Sequence, residues 1–136
     1  MDEYKTYKIE DAAGVAIHRC VVRGSAEGGV KKPSAEGEGK FVGITQEAQA
    51  TQYKAVAVKK RGMTFAVAAD VIAYGDAVYI GDSGGKVKSC QAALVDTSQD
   101  AAYLTYVIGY AETAAAGDGD IIKVDLMPFV KLTPIT

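Results

Sequence analysis

Residues 81–85 read Gly-Asp-Ser-Gly-Gly, the pentapeptide that surrounds the nucleophilic serine of trypsin-like proteases. Acyl transfer of that kind needs a serine, a histidine that takes its proton, and an acid that holds the histidine. The chain offers them in the order His18, then Asp70 or Asp76, then Ser83. Length opposes this reading, because the trypsin fold sets its triad between two six-stranded barrels and 136 residues cannot build both. The protease pentapeptide is also normally followed by proline, and here Lys86 follows. The same letters spell a β-hairpin turn, in which glycine supplies positive φ and Asp and Ser bond their own backbone. We therefore read residues 79–89 as a hairpin and give Ser83 no catalytic role.

The remaining candidate chemistry fails on ligand count or spacing. His18 is the only histidine, so no histidine-based metal site or second imidazole exists. Residues 81–86 place three residues between glycines where a phosphate loop has four, and Val87 stands where Ser or Thr would hold Mg²⁺. Gly117-Asp118-Gly119-Asp120 lacks the alternating acids and the later glutamate of a calcium loop and reads as a turn. Lys59-Lys60-Arg61 has no interleaved aromatic rings to stack bases, so we read it as a solvated hairpin tip at Arg61-Gly62. Cys20 and Cys90 are too few for a disulfide scaffold and read as reduced thiols in apolar strands. No catalytic, metal or cofactor residues are assigned.

These turns must be carried by strands. The chain has 15 glycines scattered along it, prolines only at 33, 128 and 134, no Trp and three Phe. That composition fits one domain of short strands with a small-residue core rather than a disordered segment. A net charge of −2 argues against neutralising phosphate or coating an anionic membrane. The polar N-terminus has no apolar run behind it, and no stretch approaches the roughly 20 residues of a membrane span. The expectation is synthesis and folding in a cytoplasm.

Along the chain, residues 1–13 read as a flexible N-terminal arm, with Tyr4, Tyr7 and Ile9 its only large apolar groups. Strands are expected at 15–22, 30–32, 41–45, 54–59, 63–68, 77–80, 86–89, 103–111 and 121–127, with a helical turn at 69–74. In the last strand Ile122, Val124 and Leu126 alternate with Lys123 and Asp125, a two-residue period. Residues 131–136 read as a mobile tail. A recurrence organises the whole. With Gly43 set on Gly109, residues 42–48 match 108–114, Val56 and Val58 match Ile122 and Val124, and residues 20–22 match 77–79. Gly29-Val30-Lys31 falls on residues 85–88 with one slipped residue, so the turn matching Ser83's contains no serine requirement. The fold expected is all-β: a small β-barrel or β-sandwich over residues 14–130, built from degenerate four-strand repeats at about 15–62 and 74–127.

The ordered pieces Phe41–Thr45, 75–79, 84–87, 107–111 and 114–118, spread over about residues 14–127, resemble the capsid cement (head decoration) proteins of tailed bacteriophages. The resemblance implies a non-enzymatic virion protein on the capsid exterior, which binds the major capsid protein of the expanded head and steadies it against internal DNA pressure. It also implies a homotrimer at three-fold or quasi-three-fold positions, while the charge and the motif reading above leave no nucleic-acid, membrane or cofactor partner expected. It marks no contact residues. From the sequence itself, Tyr4, Tyr7 and Ile9 are the expected capsid contact, with the arm adding a strand to an exposed coat edge. The alternative is a small carbohydrate-binding β-module, for which Tyr103, Tyr106 and Tyr110 are the aromatic candidates.

Overall fold

The structure, a computed structural model, describes residues 2–90 and 103–133. All of its regular elements are strands: β1 (Glu3–Ile9), β2 (Cys20–Arg23), β3 (Gly29–Lys31), β4 (Phe41–Thr45), β5 (Ala55–Val67), β6 (Ala77–Ile80), β7 (Val87–Ser89), β8 (Tyr103–Ala111) and β9 (Ile121–Thr133). The sheet order is β1-β3-β2-β4-β5-β9-β8-β6-β7, and β1 also pairs with β5. That extra pairing closes β1, β3, β2, β4 and β5 into a five-stranded mixed barrel, with β1 parallel to β3. The four later strands lie outside it, joined through β5 and β9. Closure removes the edges that short strands would otherwise expose.

β5 runs through both parts. From Ala55 to Arg61 it pairs with β1 and β4, and from Gly62 to Val67 it pairs with β9. The joint is Gly62, at φ 98°, where a side chain would collide with the Asp2 carboxylate. The hairpin expected at Arg61-Gly62 is therefore absent. Positive φ here bends a continuous strand instead of reversing it. Two cores follow. Ile9, Val15, Val21, Val30, Val56 and Val58 fill the barrel. A larger cluster, including Ile72, Val78, Val87, Ile108, Ile122 and Val124, fills the second part and reaches back to Cys20, Val22 and Ile44.

The flexible arm is the main correction. Residues 3–9 are strand β1, held by β5 along one side and by β3 at its end. Ile9 is fully buried and Tyr7 packs on the barrel core, so the segment cannot detach without opening the barrel. The helical turn at 69–74 is also not formed: Ala68 bridges Val87 and Ile72 bridges Ala115 in extended geometry. The strand expected at 15–22 is broken by His18, at φ 61°, and only its last part joins β2. At the other end β9 continues to Thr133, past the expected strand end at 127. Residues 134–136 of the expected tail lie outside the described residues.

Candidate functional site

The Gly81–Gly85 letters form the turn between β6 and β7. The Gly81 N–H donates to Lys86 O at 2.7 Å, and the Gly85 N–H to Asp82 O at 3.2 Å. Asp82 Oδ1 accepts from the backbone N–H groups of Gly84 and Lys86, both at 3.0 Å. The acid of the motif is thus spent on its own loop. Gly85 sits at φ 87°, and a Cβ there would lie 2.6 Å from Cys20 O. The Cys20 N–H donates to Gly85 O at 2.8 Å, so this turn is the seam that seats the outer strands on β2. Ser83 is exposed at the tip.

His18 does not complete a triad. Its ring packs on Phe65 at 5.8 Å between centroids, and Nδ1 is buried without a hydrogen-bond partner among the described residues. Burial, with the Arg19 charge beside it, holds its pKa below the ordinary value. Asp76 Oδ2 accepts from the Ser89 hydroxyl at 2.8 Å and from the Ala73 N–H at 3.0 Å. Asp70 accepts from the Val71 N–H. Each candidate acid serves a turn.

The other polar groups are also structural. Lys59, expected on a solvated tip, is only 4% exposed, and its ammonium donates to Met63 O and pairs with Asp2 at 3.3 Å. Lys60 and Arg61 reach Glu3 at 3.7 and 3.9 Å, which ties the start of β1 to the bend of β5. In the acidic turn, Asp118 pairs with Lys86 at 2.9 Å and Asp120 accepts from the Ala116 N–H at 2.7 Å. No cluster of three or more potential metal ligands occurs among the described residues. Both cysteines are free and buried, and burial pushes the Cys20 thiol far up from its usual pKa.

What the surface does offer is apolar. Met63, Phe65, Tyr106, Tyr110, Met127 and Phe129 are exposed on β5, β8 and β9. Tyr110 stacks on Phe129 at 6.0 Å, and Tyr106, Val107, Pro128 and Phe129 line a shallow groove of about 240 Å³ with Lys40 and Phe41. Six large apolar groups on adjacent strands exceed the scattered singles of an ordinary surface. Of the carbohydrate candidates, Tyr110 has one ring face taken by Phe129, and the side chain of Tyr103 lies outside the described residues. The expected capsid contacts are spread across the barrel wall. Tyr4 is 57% exposed with the Lys59 ammonium 4.9 Å from its ring, Tyr7 is half-buried, and Ile9 is sealed. The Met and Phe positions were overlooked in the sequence, although the β9 alternation that turns Lys123 and Asp125 outward also turns Met127 outward.

The described residues form a five-stranded barrel with four outer strands, and their candidate acids and bases serve turns and seams. The phage cement protein family matches residues 2–126, and the chain belongs to that family. It is thus a structural, non-enzymatic component of a phage head, of a class that binds the capsid. The fold is also similar to the crystal structure of the head fiber gp8.5 N base in bacteriophage phi29. That match has a TM-score of 0.62 at 16% identity and covers 93% of this chain and 95% of that one. A search of the curated proteins found no match.

Proposed function

We propose that this chain decorates the outside of the expanded head, binds the major capsid protein there as a homotrimer, and steadies the shell against DNA pressure. The observation that carries the reading is the cement-family match over residues 2–126, almost the entire described fold. The physics agrees with it. A barrel closed by β1 and packed apolar cores gives a firm scaffold, and many copies on a lattice convert modest contacts into avidity. Of the three residues expected at the capsid, Tyr4 is the one free to meet a coat subunit, with the outward side of β1 around it. The test is genome retention. Heads lacking the protein are warmed with and without it, and DNA release is followed. The reading requires release at a higher temperature with the protein bound, and unchanged release would overturn it.

We also infer that the two halves are degenerate copies of one unit. The support lies in the register. Val21 pairs with Gly43 as Val78 pairs with Gly109, and Val22 with Lys31 as Tyr79 with Lys88. Thr45 pairs with Val58 as Ala111 with Val124, and Tyr7 with Val56 as Ala66 with Ile122. The parallel Ile9–Val30 pair has its counterpart in Ala68–Val87, and the Val15–Gln49 bridge in Ile72–Ala115. In this register Gly28 falls on Gly85 with no slipped residue, and β5 serves as the last strand of one unit and the first of the next.

A further inference from the structure

The two-residue period of three strands brings basic groups to one end of the barrel. On β1, Lys5 shares a face with Tyr7 and the buried Ile9, and on β5 Lys60 shares one with Val56 and Val58. On β2, Arg23 stands two residues beyond the buried Val21. Lys5, Arg23 and Lys60 converge at the barrel mouth, where with Tyr7, Phe41 and Val42 they line a cleft of about 430 Å³. Barrel mouths are among the usual places for a ligand. Lys5 and Arg23 have no ion-pair partner among the described residues, and Lys60 reaches Glu3 only at 3.7 Å. The nearby Glu10 has its oxygens bonded to the Ser25 and Ala26 N–H groups, and Glu27 is the one carboxylate in the lining. Three cations against one acid leave this cleft basic on a chain whose net charge is −2.

The cleft lies between β1 and the 24–29 turn, and there it borders a free strand edge. Among the described residues β1 pairs with β3 only at Lys8 and Ile9. The Lys8 N–H donates to Gly28 O on that side, whereas the Ile9 N–H donates to Lys54 O on the β5 side. By alternation the backbone N–H and C=O of Thr6 point the same way as those of Lys8. No described strand pairs with β1 on that side before Lys8. Such an edge accepts an added strand. The edge therefore favours an extended chain, and the cations favour carboxylates on it.

We propose that this cleft receives an extended acidic segment of the coat protein, laid along the free edge of β1 with its carboxylates among Lys5, Arg23 and Lys60. The contact rests on the capsid-binding reading and gives it a surface and a partner chemistry. It reverses the part expected of residues 3–9, which stay in the barrel and receive a strand instead of supplying one. The Lys5 ammonium, 5.3 Å from the Tyr7 ring centroid, already stands over the wall that such a segment would cover.

The test uses the full chain bound to expanded heads that lack it. A carbodiimide joins lysine amines to carboxylates in direct contact, and mass spectrometry reads the joined peptides. The Lys88–Glu36 pair at 2.7 Å is the internal control. Lys5 or Lys60 should be joined to an Asp or Glu of the coat protein. In sedimentation, Lys5→Glu with Arg23→Glu should weaken binding to the heads about tenfold or more. Lys5→Gln with Arg23→Gln removes the cations without adding repulsion and should weaken it in the same direction. Lys54→Glu with Lys123→Glu makes the same change of net charge at exposed sites outside the cleft and should bind like wild type. Circular dichroism melts establish that each variant is folded. Wild type that does not bind the heads overturns the capsid reading and this inference together. Wild type that binds, with equal binding by both cleft variants or with Lys5 and Lys60 joined to no coat carboxylate, overturns this inference alone. Joining of either lysine only to a neighbouring copy of this chain would make the occupant a second copy and overturn it likewise.

Discussion

The turn at 24–29 and the turn at 81–86 use the same backbone for different ends. Both carry a glycine at positive φ, Gly28 and Gly85. The first is stapled from outside, by the Glu10 carboxylate accepting from the N–H groups of Ser25 and Ala26 at 2.8 and 3.0 Å. The second is stapled from within by Asp82. The first faces solvent, whereas the second is pressed against β2. The protease-like spelling of the second turn follows from this difference. A turn without an external carboxylate needs its own acid, and a turn lying on another backbone needs a glycine for space as well as for φ.

The largest test of the two-unit account is a pair of substitutions that should behave alike. A Cβ at Gly43 would lie 2.3 Å from Lys59 O, and one at Gly109 would lie 2.2 Å from Asp125 O. Gly43→Ala and Gly109→Ala should each cost about 3 kcal/mol in denaturant unfolding. A severe loss at one and none at the other would break the equivalence.

The next pair should behave differently. Gly85→Ala meets both positive φ and the Cys20 backbone and should cost about 3 kcal/mol. Gly28→Ala meets only the φ penalty and should cost about 1 kcal/mol. Equal losses would mean that the seam does not decide the glycine at 85.

A smaller difference separates His18 from Gly75. The His18 N–H donates to Thr45 O and the Gly75 N–H to Ala111 O, and both residues have positive φ. Only His18 titrates. Its folded pKa lies below the ordinary 6.5 because burial penalises the charged form. The neutral ring's contribution is therefore complete above about pH 6.5 and is lost as pH falls through the lower folded value. His18→Asn, which tolerates positive φ, should flatten the fall in thermal stability below about pH 6.5. Glu10 acts in the same direction at lower pH, since the Ser25 and Ala26 amides hold its pKa below the usual carboxylate value. The smallest effect is expected at the residue with the most suggestive neighbours. Ser83→Ala should change stability by under about 0.5 kcal/mol. Neither form should be labelled by a serine-directed fluorophosphonate.

The strands were legible because their inward residues are β-branched and spaced by two. Ile122, Val124 and Leu126 are buried, as the alternation of β9 requires. The GDSGG turn was legible as a hairpin from its glycines. A barrel was legible as one of two expected architectures, but its closing strand was not, because β1 is polar on its outward side and shows only Tyr7 and Ile9 to the core, too sparse a pattern to separate from a frayed end. β5 was split at Gly62 because positive φ serves a bend and a reversal equally well in a sequence. Lys59 was placed in solvent because its burial depends on Asp2 and Met63 O, partners that only the folded chain brings together.

The central claim is that the chain is a capsid-decorating structural protein, and sedimentation with phage heads tests it most directly. Purified protein is mixed with unexpanded and expanded heads that lack it, and the bound copies are counted against the major capsid protein. The account predicts saturable binding to expanded heads at a fixed ratio and little binding to unexpanded ones. Failure to bind either form, or equal unsaturable binding to both, would contradict it.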